Sequence, residues 1–230
     1  MLVLAFDTAT SAVTVALYEW IPGEGARRRA LADGVDVRRH AEVLTPAIAG
    51  VLAEAGAVPA DLSAVAVGVG PGPYTGLRVG LVTARALGEA LRIPVHGVCS
   101  LDAIAWASGR DAPFVVATDA RRKEVYWARY DSARVRATAP AVSPPGEVAA
   151  ELGVKPGELP VIGEGAALYA GELGVTGDPG PLLPSAAALA ELAVTRLAGA
   201  DGPPLLSPEP LYLRRPDAQA PGPRKKVSQG

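Results

Sequence analysis

Gly68-Val69-Gly70-Pro71-Gly72-Pro73-Tyr74-Thr75-Gly76-Leu77-Arg78-Val79-Gly80 is the stretch whose reading decides the fold. It joins a run of small apolar residues, Ala64 to Val69, that reads as a buried strand to a segment with helical periodicity. Thr75 stands where its hydroxyl can cap that helix. Gly76, Gly80, Ala84 and Gly88 then recur at every fourth position. Two readings compete. A strand, a Gly-rich turn and a helix N-terminus together suggest a phosphate cradle. A ladder of small residues suggests a helix that another helix approaches closely.

Phosphate binding has little support. A P-loop needs Lys and then Ser/Thr after its last glycine, whereas Leu77-Arg78 follows Gly76. A dinucleotide fingerprint needs an acidic residue about 20 residues on, after a second strand. Here Cys99-Ser100-Leu101 follows Val95 to Val98. A bare helix N-terminus offers an exposed anion only about 0.3–1 kcal/mol. A tight turn that positions the helix is therefore expected.

At 100° per residue, Arg78, Arg85, Glu89 and Arg92 form one narrow polar stripe. Leu77, Leu81, Leu87 and Leu91 flank the ladder on one side, with Val79, Ala86 and Ala90 on another. Residues 39–55 repeat the pattern. Leu44, Ile48, Val51, Leu52 and Ala55 make a core face, and Val43, Ala47 and Gly50 a second, small-residue face. Pro46 is expected in or near the first turn, or at a kink. A helix lying on a sheet buries one face only. Both helices have apolar surface to spare, to be covered by a partner or by other parts of the chain.

The 230 residues carry a formal net charge of −2, so no global basic field argues for autonomous nucleic-acid binding. The clusters Arg27 to Arg29, Arg121 to Lys123, Arg214-Arg215 and Arg224 to Lys226 read as solvated surface. Cys99 stands alone, which excludes an intrachain disulfide and fits a reducing compartment. No apolar run is long enough to span a bilayer and no basic leader precedes the first strand, so a cytoplasmic protein is expected. Two histidines and one cysteine argue against a zinc site. His40 reads as a capping or surface residue. His96 beside Cys99 reads as the end of a buried strand, and no Ser/His/Asp or Cys/His set stands out.

The first half reads as strand 2–6, turn 7–11, strand 12–20, a third strand within 28–37, helix 39–55, strand 64–69, helix 76–91, strand 94–98 and a short helix from Ser100. The second half opens in the same way. Val3/Val115, Ala5/Ala117, Asp7/Asp119, Val13/Val125, Ala16/Ala128 and Tyr18/Tyr130 coincide in a gapless overlay. It continues with a linker (140–146), a short helix (147–152), a strand (160–162) entering Gly163-Glu164-Gly165-Ala166, and an apolar helix (185–197) capped by Ser185. A proline-rich lead (203–210) then enters 211–215. Two tandem halves, each opening with strand, Asp turn and strand, imply an α/β, duplicated actin-like/sugar-kinase fold. Its two small subdomains with mixed sheets are expected at 1–108 and 109–215, followed by a disordered tail, 216–230.

Phe6-Asp7-Thr8-Ala9-Thr10, His40 with its helix, the Gly70 to Gly80 motif and Tyr212-Leu213-Arg214 together resemble the TsaB family, also called YeaZ. The resemblance covers most of the chain and is weakest between Ala133 and Leu183. Pro73 and Tyr74 stand where the family usually has Ser and then Phe. The resemblance implies a non-catalytic dimerisation subunit of the bacterial tRNA threonylcarbamoyladenosine machinery. Such a subunit pairs with its catalytic paralogue TsaD through the helices matching 39–55 and 76–91, and forms a homodimer when TsaD is absent. The ATPase TsaE joins the pair, and tRNA is met only through the complex, which modifies adenosine 37.

The interface so implied holds Val43, Ala47, Gly50, Gly76, Leu77, Gly80, Leu81, Ala84, Leu87 and Gly88. Gly80→Leu or Ala84→Glu is then expected to block dimerisation and leave the fold intact. No catalytic residue, metal or cofactor is expected, because TsaD-type chemistry needs two histidines on one helix and the matching helix has His40 alone. Asp7, Thr8 and Asp119 are the candidate remnants of a nucleotide site, with an Asx turn as the plainer role for Asp7. Gly163 to Ala166 resembles a degraded adenosine loop whose Glu164 would repel phosphate. The alternative is an active actin-like small ATPase or kinase.

Overall fold

The computed structural model describes residues 1–35 and 40–214. Arg39, Arg215 and the expected tail, 216–230 with its Arg224 to Lys226 cluster, lie outside the described residues. The first half folds as β1 (Leu2–Asp7), β2 (Ala12–Ile21), β3 (Gly25–Val35), α1 (His40–Glu54), β4 (Ala64–Gly68), α2 (Tyr74–Leu91), β5 (Val95–Val98) and α3 (Ser100–Ser108). Its sheet runs β3-β2-β1-β4-β5, antiparallel through the β1/β2/β3 meander and parallel from β1 to β5.

The second half adds β6 (Phe114–Asp119), β7 (Val125–Ser132), β8 (Val135–Arg136), β9 (Ala141–Ser143), α4 (Val148–Glu151), β10 (Val161–Ile162), α5 (Glu164–Leu168), α6 (Ala170–Leu173) and α7 (Ala186–Leu197). Its sheet runs β10-β6-β7-β8, with β9 also on β7. That order repeats the fourth-first-second-third arrangement of the first sheet, with the same antiparallel hairpin and parallel neighbour. The duplicated α/β actin-like/sugar-kinase fold expected from the sequence is therefore present.

Alternation along the strands sorts the core. Leu4, Phe6, Val13, Val15 and Leu17 face Leu44, Ile48, Val51 and Leu52 of α1 and Leu77, Leu81 and Ala84 of α2. Val3, Ala5, Ala16 and Tyr18 point the other way, onto α3 and α7. α3 also carries Leu101 and Ile104 into the core of the second sheet, with Phe114, Val116 and Tyr130. There Tyr130 Oη donates to Asp102 Oδ1 (2.7 Å) and Arg136 Nη1 donates to both Asp102 oxygens (3.0 Å each), a buried tie between α3 and the second sheet.

α7 follows the second sheet in sequence but packs on the first, against β1, β2 and β3 and beside α3. Its cap is the expected Ser185, whose Oγ accepts from Ala187 N–H, while Ala186 N–H donates to Thr14 Oγ1 on β2 (3.0 Å). The chain then returns as a strap. Leu206 bridges to Gly97 and Leu211 N–H donates to Val69 O (2.8 Å). The Arg85 guanidinium donates to Pro208 O (2.6 and 3.0 Å). Arg214 Nη1 donates to Ala120 O (3.1 Å) in the second half and pairs with Glu124.

Several local expectations change. α2 starts at Tyr74 rather than Gly76, because Leu77 N–H already closes a turn on Pro73 O; Thr75 lies inside the helix and no side chain caps it. α1 is continuous through Pro46, which sits in its second turn. The expected linker contains β9, paired to β7. The gapless overlay holds for β1 and β6 but slips beyond the turns. Asp7 faces Thr14, whereas Asp119 faces Val125 rather than the residue after it. Val13/Val125, Ala16/Ala128 and Tyr18/Tyr130 are thus one residue out of register, and a one-residue slip exchanges the faces of a strand.

Candidate functional site

The two aspartates close equivalent turns at the ends of β1 and β6. Asp7 Oδ1 accepts from Ala9 N–H (2.7 Å), and Asp119 Oδ1 accepts from Arg121 N–H (2.9 Å). Both are Asx turns. Asp7 is fully enclosed: its Oδ2 accepts from Ser100 Oγ (2.6 Å), and Ser100 Oγ accepts in turn from Gly70 N–H (3.2 Å). Asp119 Oδ2 pairs with Arg121 (3.3 Å). The innermost space between the turns, lined by Ala9, Thr10, Gly72, Asp119, Arg121 and Glu164, is about 20 Å³, and a second opening of about 400 Å³ adjoins it, lined by Thr10, Ser11, His40, Thr75 and Arg121. Burial and the neighbouring Asp119 raise the Glu164 carboxyl. Both Gly163 and Gly165 lie against Ala117 of β6, so the expected adenosine-type loop is occupied by the chain's own backbone.

Burial pushes the Asp7 carboxyl up to about 6, against the Ser100 and Ala9 hydrogen bonds that lower it. An acid with a raised folded pKa contributes less stability as pH rises from its unfolded value, 3.8, through about 6. This carboxyl alone is expected to cost about 3 kcal/mol across that window. Asp7→Asn keeps the turn acceptor and removes the titration. Urea titrations from pH 4 to 7.5 should show a shallower decline for Asp7→Asn, with the variant the more stable at pH 7.5. An unchanged slope would assign the pH dependence to other groups, Asp102 first, because burial also raises its carboxyl to about 6.

Thr8 is the pivot of the motif. Its Oγ1 donates to Gly76 O (2.8 Å) and accepts from Gly80 N–H (3.1 Å), tying the β1 turn to α2. The glycine ladder faces this turn and β5. A Cβ on Gly76 would strike Thr8 O, one on Gly80 would lie 2.5 Å from Thr8 Oγ1, and one on Gly88 would strike Val95. Gly76, Leu77, Gly80, Leu81, Ala84 and Gly88 are all buried inside the chain. They are unavailable to a partner, which corrects the expected interface. The close approach encoded by the small residues is to the chain's own first turn. Thr8, one of the nucleotide-site candidates, serves the same contact.

Of the other expected interface residues, Val43, Ala47 and Leu87 are half-buried and Gly50 is exposed. The free face of α2 is instead Val82, Ala86 and Ala90, with Val82 65% exposed and the half-buried Val79 and Thr83 beside them. On α1, which adjoins α2, Pro46, Ala49, Gly50 and Ala53 are also exposed. Val79, Ala86 and Ala90 had been visible as a separate stripe in the sequence; only the position of the sheet says which stripe is outside. His40 opens α1 with Nε2 2.8 Å from Thr10 O, where a carbonyl can only accept, so Nε2 donates. Among the described residues no group of three or more His, Cys, Asp or Glu is placed to hold a metal ion. No helix among them is long and apolar enough to cross a membrane.

Residues 35–167 match the family model described as TsaD, tRNA N6-adenosine threonylcarbamoyltransferase. An uncharacterized protein of Mycobacterium tuberculosis H37Rv is 47% identical over 225 residues, covering 94% of this chain and 93% of that one. The tRNA threonylcarbamoyladenosine biosynthesis protein TsaB of Escherichia coli K12 is 36% identical over 133 residues, covering 56% of this chain and 55% of that one. The solved structure of YeaZ from Pseudomonas aeruginosa superposes with a TM-score of 0.74 at 30% identity, covering 92% of this chain and 100% of that one.

Proposed function

Because this chain belongs to the TsaB (YeaZ) family of tRNA threonylcarbamoyladenosine biosynthesis, we propose that it is the non-catalytic subunit that pairs with TsaD through the outer faces of α1 and α2. The observation that carries this reading is the exposed small-residue face, Val82, Ala86 and Ala90 with Gly50 and Ala53 on the adjoining α1. Small side chains let helix backbones approach, and an exposed valine at the centre of such a face gains from being covered. The engaged aspartates at the hinge support the absence of an independent active site. In the same reading the chain is a homodimer without TsaD, TsaE joins the heterodimer, and the transfer to tRNA adenosine 37 is done by the assembly.

Light scattering after size-exclusion chromatography tests this, on the chain alone and mixed with TsaD of the same organism. A homodimer that gives way to a one-to-one heterodimer is expected. Indifference to TsaD would sink the subunit role. ATP turnover by the isolated chain, lost in Asp7→Ala, would replace it with an actin-like ATPase.

A further inference from the structure

A larger opening lies where the strap passes from the first half to the second. It is a cleft of about 720 Å³, lined chiefly by Tyr74, Arg121, Arg122, Tyr126, Tyr212 and Arg214. Tyr74 and Tyr212 stack with ring centroids 5.2 Å apart and planes at 28°. The Arg78 guanidinium sits 3.8 Å over the Tyr74 ring. Both tyrosines are nonetheless about half exposed, at 46% and 44%. Large aromatic rings held rigidly at a surface ask for a flat partner. Tyr212 is held by the strap, whose Leu211 N–H is bonded to Val69 O and whose Arg214 is fixed to Ala120 O.

The facing wall is the β6–β7 turn. Arg121, Arg122 and Lys123 take φ of 61°, 56° and 60°, three successive left-handed residues, none of them glycine. Glycine would relieve that conformation, yet the turn keeps three cations, and such strain gathers where a site needs it. The Arg121 side chain is 68% exposed despite its contact with Asp119. Arg121, Arg122 and Arg214 line the cleft, Arg121 paired with Asp119 and Arg214 with Glu124, and Lys123 follows Arg122 in the turn. Among the described residues no Asn, Gln, Asp, Glu, Ser or Thr lines the cleft. It offers ring faces, positive charge and the hydroxyls of Tyr74, Tyr126 and Tyr212.

We propose that this cleft binds single-stranded RNA, one base stacking on the Tyr212–Tyr74 pair while the adjoining phosphates follow Arg121, Arg122 and Lys123. Stacking on aromatic rings beside a cationic track is the chemistry of sequence-tolerant single-strand binding. A run of three cations that leaves the cleft is longer than one phosphate requires, which favours a strand over a free nucleotide. This rests on the reading that the chain works within an assembly acting on tRNA, and makes its contact with RNA direct.

Fluorescence anisotropy with fluorescein-labelled heptaadenylate RNA tests it, on the full chain alone and mixed with TsaD, at several salt concentrations. Affinity should fall steeply with salt. Tyr212→Ala should weaken binding about tenfold, Tyr212→Phe should restore it, and Arg121→Ala with Arg122→Ala should flatten the salt dependence. Thermal melts establish that each variant is folded. No binding in either sample, or equal affinity for folded Tyr212→Ala, overturns the proposal. So does displacement of the RNA by AMP at equal affinity, which would make the cleft a nucleotide pocket. RNA binding by a chain that ignores TsaD would keep this site and lose the subunit role. A heterodimer that binds no RNA would do the reverse.

Discussion

Val82→Glu will abolish heterodimer formation and leave the isolated chain folded. Val82 is exposed at the middle of the outer face of α2, so a carboxylate there stays hydrated in the free protein. On association the same carboxylate would be buried against a small-residue surface without a partner. An unpaired buried charge costs several kcal/mol, and about 3 kcal/mol already weakens binding more than a hundredfold. Light scattering of the mixture should show separate species, and the thermal midpoint should move by no more than a few degrees. Ala86→Glu, one turn along, should behave alike. A heterodimer that survives both substitutions would place the contact elsewhere than on this face.

The second large effect runs the opposite way, a loss of fold where the sequence suggested a loss of partner. Gly80→Leu will yield little or no folded protein, because the new side chain starts 2.5 Å from Thr8 Oγ1 and aims into the β1 turn. Both hydrogen bonds of Thr8 to α2 would go with it. Gly80→Ala is the sharper test. Helix propensity alone favours alanine over glycine by about 1 kcal/mol, whereas overpacking costs about 1–3 kcal/mol and each lost hydrogen bond about 1 kcal/mol more. With both Thr8 bonds lost, urea denaturation should therefore show a net loss of about 2–4 kcal/mol. A stabilised Gly80→Ala would mean that the turn can yield, and would return the ladder to the list of partner contacts.

The contrast between Gly80 and Val82 marks what could be read from the sequence. Periodicity located α1, α2 and α7 and both hairpins, because apolar spacing reports which residues share a face. It could not say which of two apolar faces lies on the sheet, since Gly-xxx-Gly spacing serves a neighbouring helix and a strand turn equally well. Asp7 and Asp119 were legible as paired turns because the Asx geometry is local. The overlay beyond them misled, since Val and Ala recur in any buried strand and six coincidences cannot detect a one-residue difference in turn length. The basic cluster at Arg121 to Lys123 read as ordinary surface. Its left-handed backbone is not visible in composition, and its position opposite Tyr212 depends on a strap nearly a hundred residues further along the chain.

The homeward path of α7 sets an order of events during synthesis. Val3, Ala5, Ala16 and Tyr18 have their cover supplied by Leu189, Leu192 and Ala193. When the first hundred residues have left the ribosome, one side of their sheet is therefore still bare. α3 then covers part of it with Ala103 and Trp106, and the rest waits until Leu197 emerges, which makes the nascent first half a client for holding factors rather than an early-folding unit. A stop codon anywhere before Ser185 would give a chain with a greasy open sheet and no native partner for it. Loss of as little as a fifth of the protein would then be read out in the cell as aggregation or degradation of all of it.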